Sequence, residues 1–233
     1  ELLGRGDPEK TGKEFAAYAL ERGVHFPQGH LWLTVDICAE NQAEVIDDLK
    51  RWLDLYLATG VKAGVLHPGG NQMRRQQQSP AAVLDTQTQA LGQLCTHLQG
   101  TDFTLCLENV PGTPEVEQLL SIIKAVDSPR LGICLDTGHL NMAGGDQGHF
   151  LRQAGDRLKA MHLADNEGKT DQHMMPFGRG NVDWSAVIGG LKALRYEGLL
   201  NLEIPGESKA PLPVLLAKLD YLQVLMRYLV EDA

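Results

Sequence analysis

The sequence predicts an α/β protein, a (β/α)8 barrel of the TIM type, on three observations. Glu108, Asp136, His162 and Glu203 each close a short apolar run (FTLCLEN, GICLDTGH, LKAMHLAD, LLNLEIPG), and His30 in FPQGHLWL and His67 in GVLHPGG extend the series backwards. The intervals along it are 37, 41, 28, 26 and 41 residues, against roughly 30 per strand-and-helix unit in a barrel of about 250 residues. Segments of helical period lie between the runs, and strand then helix then strand, repeated, is the signature of parallel βαβ units.

Strands are expected near 24–35, 62–67, 103–108, 131–136, 158–163 and 199–204. They read as near-continuous apolar runs, as strands covered on both faces do. In AEVIDDLKRWLDLYLA the positions Val45, Leu49, Trp52, Leu53 and Tyr56 make one stripe, with Asp47, Asp48, Lys50 and Asp54 facing away, which is an outer-ring helix. PEVEQLLSIIKAV repeats the pattern with Val116, Leu119, Leu120, Ile123 and Val126. In DWSAVIGGLKAL, Asp183 is placed to cap the helix and Trp184, Val187, Ile188 and Leu191 face inward. RRQQQSP, residues 74–80, is expected as an exposed loop, and DPEKTGKEFAAYALERG as a helix. ELLG before it resembles the tail of an earlier strand, so the barrel is expected to lack its first strand, first helix and part of the second strand, roughly 35 to 45 residues at the usual unit length. Such an opening exposes a strand edge and apolar helix faces. Nothing marks a second domain, so residues 1–233 are read as one barrel domain.

Composition narrows the function. A chain of 233 residues, 43% apolar and 22% charged, can bury a full core. The formal charge of −9 repels polyanions, and no Lys/Arg stripe is present to neutralise phosphates along a duplex. No nucleic-acid partner is expected. Cys38, Cys95, Cys106 and Cys134 form no C-x-x-C pair and read as reduced small hydrophobes. No apolar run approaches the length of a membrane span, and ELLGRGDPEK lacks the charged-then-apolar order of a signal peptide. A cytoplasmic protein without membrane partners is expected.

The chemistry lies at the strand ends. Ionisable groups converging on one barrel mouth repel or strand each other unless a cation joins them. Two Glu, one Asp and one His make a mostly oxygen donor set that suits Mn²⁺, Mg²⁺ or Co²⁺ and tolerates Zn²⁺. His30, His67, His139, Asp171 and His173 surround the four as substrate-binding residues or additional metal ligands, and Arg179 in FGRGNVDW is a loop cation for a substrate phosphate or carboxylate. His25, His97 and His149 fall outside any site.

LCLEN, GICLDTGHLNMAGGD, MHLADNEGKTDQH, FGRGNVDW and LNLEIPG together resemble the sugar phosphate isomerase/epimerase superfamily with xylose-isomerase-like barrels, over about His25 to Glu207. Zinc-dependent apurinic endonucleases belong to the same superfamily. In its isomerase branch the resemblance implies one divalent cation on Glu108, Asp136, His162 and Glu203, with Glu108 and Glu203 as acid/base groups on opposite faces of the sugar and His139 as a substrate contact. The reaction so implied is isomerisation or epimerisation of a sugar, keto-sugar, inositol derivative or small hydroxy-carbonyl compound through an enediolate. The expected partner is a small carbohydrate, and a homo-oligomer is admitted. In the endonuclease branch the resemblance implies three zinc ions on His30, His67, Glu108, Asp136, His139, His162, Asp171, His173 and Glu203, hence a metal-dependent phosphoesterase as the alternative.

Overall fold

The computed structural model describes residues 1–111, 116–205 and 209–231. Its centre is one parallel sheet of β1 (Gln28–His30), β2 (Ala63–Leu66), β3 (Thr104–Glu108), β4 (Leu131–Asp136) and β5 (Leu158–His162), hydrogen-bonded in sequence order. A sixth parallel segment joins it through the bridge between Leu163 and Leu202. The helices in chain order are α1 (Pro8–Leu20), α2 (Gln42–Thr59), α3 (Asn71–Arg75), α4 (Pro80–His97), α5 (Val116–Val126), α6 (Thr137–Met142), α7 (Gln147–Ala154), α8 (Trp184–Leu194) and α9 (Leu212–Glu231).

Local signals set the helix starts. The side chains of Asp7, Ser79 and Asp183 accept from the backbone N–H groups of Lys10, Ala82 and Ala186, and proline follows the first two caps, satisfying donors that an open helix end leaves unpaired. Asp136 ends β4 and caps α6 in the same position. A residue that ends a strand and starts a helix has its side chain pinned at the mouth.

The two sheet faces carry different residues. Val65, Cys106, Cys134 and Ala160 form a small cluster on one side, and their modest size suits the inside of a curled sheet. The other face packs the larger core, in which Leu49, Leu53, Leu94, Phe103, Ile133 and Met161 are fully buried against the helices. Burying each such side chain contributes about 1.5–3 kcal/mol relative to leaving it exposed. At Gly64 a Cβ would come within 2.4 Å of the Phe103 ring, so the missing side chain lets the aromatic ring lie against β2.

Four expectations need correction. ELLG is not strand: Leu2–Arg5 is a 3-10 helix. The strand expected over 24–35 shrinks to three residues, Gln28–His30, because Pro27 gives no N–H and the chain after Leu31 turns into a loop. The strand expected over 199–204 pairs through the Leu202 bridge alone. Arg74 and Arg75 close α3 and are not loop. The start of PEVEQLLSIIKAV at Pro114 and Glu115, and Glu207, lie outside the described residues. The sheet stays open between β1 and the Leu202 segment among the described residues. As expected of an open barrel, apolar helix surface is exposed: Leu212, Val214, Leu216, Leu219 and Val224 of α9 face solvent. No helix among the described residues is long and apolar enough to cross a membrane.

Candidate metal centre

Because the strands are parallel, their C-terminal ends share one edge of the sheet. His30 ends β1, His67 follows β2, and Glu108, Asp136 and His162 end β3, β4 and β5. Glu203 follows the Leu202 bridge. The loop after β5 brings Asp171 and His173 over the same edge.

Glu108 is the hub, with 1% of its surface exposed. Its Oε2 lies 3.1 Å from His30 Nε2 and 3.3 Å from His67 Nε2, and its Oε1 lies 3.0 Å from His162 Nδ1. His162 Nδ1 is also 3.1 Å from Glu203 Oε2. Beyond this centre, Asp171 Oδ2 lies 3.3 Å from His139 Nε2 and 3.1 Å from His173 Nε2. Three donor groups result: His30, His67 and Glu108; Glu108, Asp136, His162 and Glu203; and His139, Asp171 and His173, the donor atoms of each lying within 4.8 Å of one another.

Two features fit these groups to cations. Asp136 Oδ1 accepts from the His139 N–H, but Oδ2 is buried with no hydrogen-bond partner, a costly state for a carboxylate unless something positive meets it. The outer histidines are oriented from behind. His30 Nδ1 lies 2.8 Å from the Leu31 carbonyl, His139 Nδ1 3.0 Å from the Asn109 carbonyl and His173 Nδ1 2.7 Å from the Glu203 carbonyl. A carbonyl only accepts, so each Nδ1 carries the proton and each Nε2 is left aimed at a carboxylate oxygen. A neutral imidazole in that position faces a lone pair with a lone pair unless a proton or a metal ion lies between them. Backbone anchoring of the distal nitrogen is how metal-binding histidines are held.

Protonation follows from the crowding. Burial raises the Asp136 carboxyl well above its usual range, and Glu108 and Glu203 add to the effect. Burial acts against ionised Glu108 too, but the histidine rings around it, His162 first, outweigh it and hold this carboxyl well below its ordinary value. Around His162 burial opposes the charged ring, yet Cys134, Glu108 and Glu203 together raise its proton affinity. The Cys134 thiol is itself pushed up to about 12 by burial.

The centre opens into a cavity of about 580 Å³, lined by His30, His67, Glu108, His139, Asp171, His173 and Glu203. Arg179 stands apart from it, exposed and 3.7 Å from Glu167. His97 pairs with Asp54 at 2.7 Å and His149 with Glu117 at 3.2 Å, both away from the centre, and His25 is exposed. All four cysteines are buried and unpaired.

Sequence reasoning missed the residues that brace this set. Buried Asn109 clamps β4 by donating to the Asp136 carbonyl at 2.9 Å and accepting from the Asp136 N–H at 2.8 Å, while its own carbonyl holds His139. Buried Asp165 accepts from Asn166 N at 2.8 Å, Val182 N at 3.1 Å and Trp184 Nε1 at 3.0 Å. Their only sequence signal was an amide directly after Glu108 in LEN and an acid three residues after His162 in HLADN.

The family model described as xylose isomerase-like TIM barrel matches residues 3–225. D-psicose 3-epimerase of Enterocloster bolteae is 28% identical over 87 residues, 37% of this chain and 27% of that protein. Probable endonuclease 4 of Mycoplasmoides gallisepticum is 31% identical over 175 residues, 67% of this chain and 50% of that protein. The chain thus spans half or less of the length of these curated relatives. Among solved structures, a D-tagatose 3-epimerase-like protein superposes with a TM-score of 0.77 at 21% identity, covering 94% of this chain and 84% of the other. That likeness is one of fold.

Proposed function

The chain belongs to the xylose isomerase-like TIM barrel family, and from this membership and the donor geometry we propose that it is a metal-dependent phosphoesterase acting on a phosphate ester of a small carbohydrate. The observation that carries the reading is the anchoring of His30, His139 and His173 by backbone carbonyls, which leaves three Nε2 atoms as ligands outside the central four. Glu108 joins the first and second donor groups, with its two oxygens turned to different histidines. Cations of the Mn²⁺, Mg²⁺, Co²⁺ or Zn²⁺ class held by these groups supply Lewis acidity and lower the pKa of water, the chemistry of clustered-ion phosphoesterases.

The chain's own residues divide the work. Asp136 and His162 are buried, so they hold position and do not meet substrate. Glu203, with 34% of its side chain exposed, is the carboxylate placed to take a proton from an attacking water or return one to a leaving hydroxyl. The −9 charge and the lack of a basic stripe favour a small ester over a nucleic acid. Endonuclease activity like that named for the Mycoplasmoides relative is therefore not proposed.

An isomerase or epimerase working through an enediolate is the second reading, favoured by the exposed Glu203 beside the orphaned Asp136 oxygen, where one cation suffices, and by the likeness to D-psicose 3-epimerase. Against it, Glu108 is 1% exposed and both its oxygens face histidines, which leaves it less free than Glu203 to serve as the second acid/base group. The test pairs two assays on metal-loaded protein: phosphate release from carbohydrate phosphates, and exchange of ketose α-protons with solvent deuterium. Ester cleavage without exchange is expected. Exchange without cleavage favours the isomerase.

A further inference from the structure

Beyond the metal ligands, the cavity holds a second feature, the turn after His67. We propose that Arg75, at the end of the short helix α3 that this turn starts, binds a second oxyanion of the substrate and so selects compounds with two anionic groups; this rests on the reacting phosphate lying at the donor groups described above.

The turn is built with more bonds than a connection needs. Gly69 and Gly70 have φ of 67° and 85°, a conformation that favours glycine. A Cβ on Gly69 would lie 2.7 Å from Asp36 Oδ1, and one on Gly70 2.7 Å from Val83 Cγ1. Asp36 Oδ1 accepts from Gly70 N at 2.7 Å and Cys38 N at 2.9 Å, tying the loop after β1 to the turn. Buried Gln87 donates to the Pro68 carbonyl at 2.8 Å, and Arg74 donates to the Gly69 carbonyl at 2.7 Å and Asn71 Oδ1 at 2.9 Å.

Arg74 is thereby spent on structure. Arg75 beside it is exposed, lines the cavity, and makes no hydrogen bond or ion pair with another described residue. It is the one Lys or Arg among the described residues lining that cavity. Asn71 and Gln72 line the same wall and add amide donors. A guanidinium on a helix started by a braced turn, lining the same cavity of about 580 Å³ as residues of the donor groups, suits bidentate recognition of phosphate or carboxylate. Arg179, the cation expected from sequence, pairs with Glu167 and does not line the cavity.

The test titrates the full Mn²⁺-loaded chain calorimetrically with α,ω-alkane bisphosphonates of increasing length, their monophosphonates and matching phosphonocarboxylates. At one length the second oxyanion should tighten binding roughly tenfold, the scale of one charge-assisted hydrogen-bonded pair. The better of phosphonate and carboxylate at that length identifies the group selected. Arg75→Gln should remove the gain, Arg75→Lys should keep part of it, and Arg179→Gln should leave it whole. No gain at any length, or a gain that survives Arg75→Gln in a variant with unchanged circular dichroism and melting, overturns the assignment. The metal count, measured alongside, separates the two proposals. One cation per chain with an Arg75-dependent gain sinks the phosphoesterase reading and leaves Arg75 in place; three cations without a gain do the reverse.

Discussion

The His173 ring donates its Nδ1 proton to the main-chain carbonyl of Glu203 over 2.7 Å. One ligand candidate is therefore positioned by the backbone of another, and the loop after β5 is fastened to the last strand end. His173 also has a φ of 45°, a left-handed conformation that costs a non-glycine residue about 1–2 kcal/mol. Strain of this kind persists where surrounding contacts over-determine it, and such positions cluster at functional sites.

His173→Ala should lower metal content by one equivalent, leaving the group around Asp136 loaded. His173→Gly should lose the same equivalent but melt higher than the Ala variant, because glycine accepts the backbone conformation. Equal melting of the two would show that the strain is absent.

The motif ends were legible because ionisable residues closing buried strands are costly and therefore conspicuous: Glu108 and Asp136 lie at the predicted ends of β3 and β4, and His162 ends β5 one residue before the predicted end. The helix around Leu49 and Leu53 was equally plain from its period. The start of the chain misled, since ELLG has the composition of a strand end while its conformation is decided by packing with α1 and α2. Tautomers were invisible. Nothing in FPQGHLWL says that Leu31 offers its carbonyl to His30, nor in LEN that Asn109 serves both Asp136 and His139. Such bonds join residues close in space and distant in sequence.

Asp136→Asn should raise the stability of metal-free protein and abolish its stabilisation by metal. Burial lifts the Asp136 carboxyl well above the ordinary range. Between its unfolded and folded values the native state must keep the acid protonated, so this residue's contribution falls as pH rises through that window. The amide removes the penalty while keeping an oxygen to cap α6. Melting curves with EDTA and with Mn²⁺ check both halves; an apo variant less stable than wild type at neutral pH contradicts the account.

Metal binding should release protons at neutral pH. Without metal, the raised affinities of Asp136, His162 and His173 retain protons that a cation must displace, so metal affinity should climb with pH. Calorimetry in two buffers of different ionisation enthalpy reads the number released. Buffer-independent heats would contradict the protonation pattern.

Asp165→Ala should destabilise the fold by about 2–6 kcal/mol, since it strands the buried donors of Trp184 and Val182 at about 1–3 kcal/mol each. Urea unfolding measures it. A loss under about 0.5 kcal/mol, the usual range for a surface change, would mean that water or neighbours replace the carboxylate.

Elemental analysis of the purified chain, dialysed after loading with Mn²⁺ or Zn²⁺, tests most directly whether the three donor groups hold separate cations. The account predicts more than one equivalent per chain, approaching three, with His30→Ala and His173→Ala each removing one. A single equivalent, unchanged by either substitution, would contradict it.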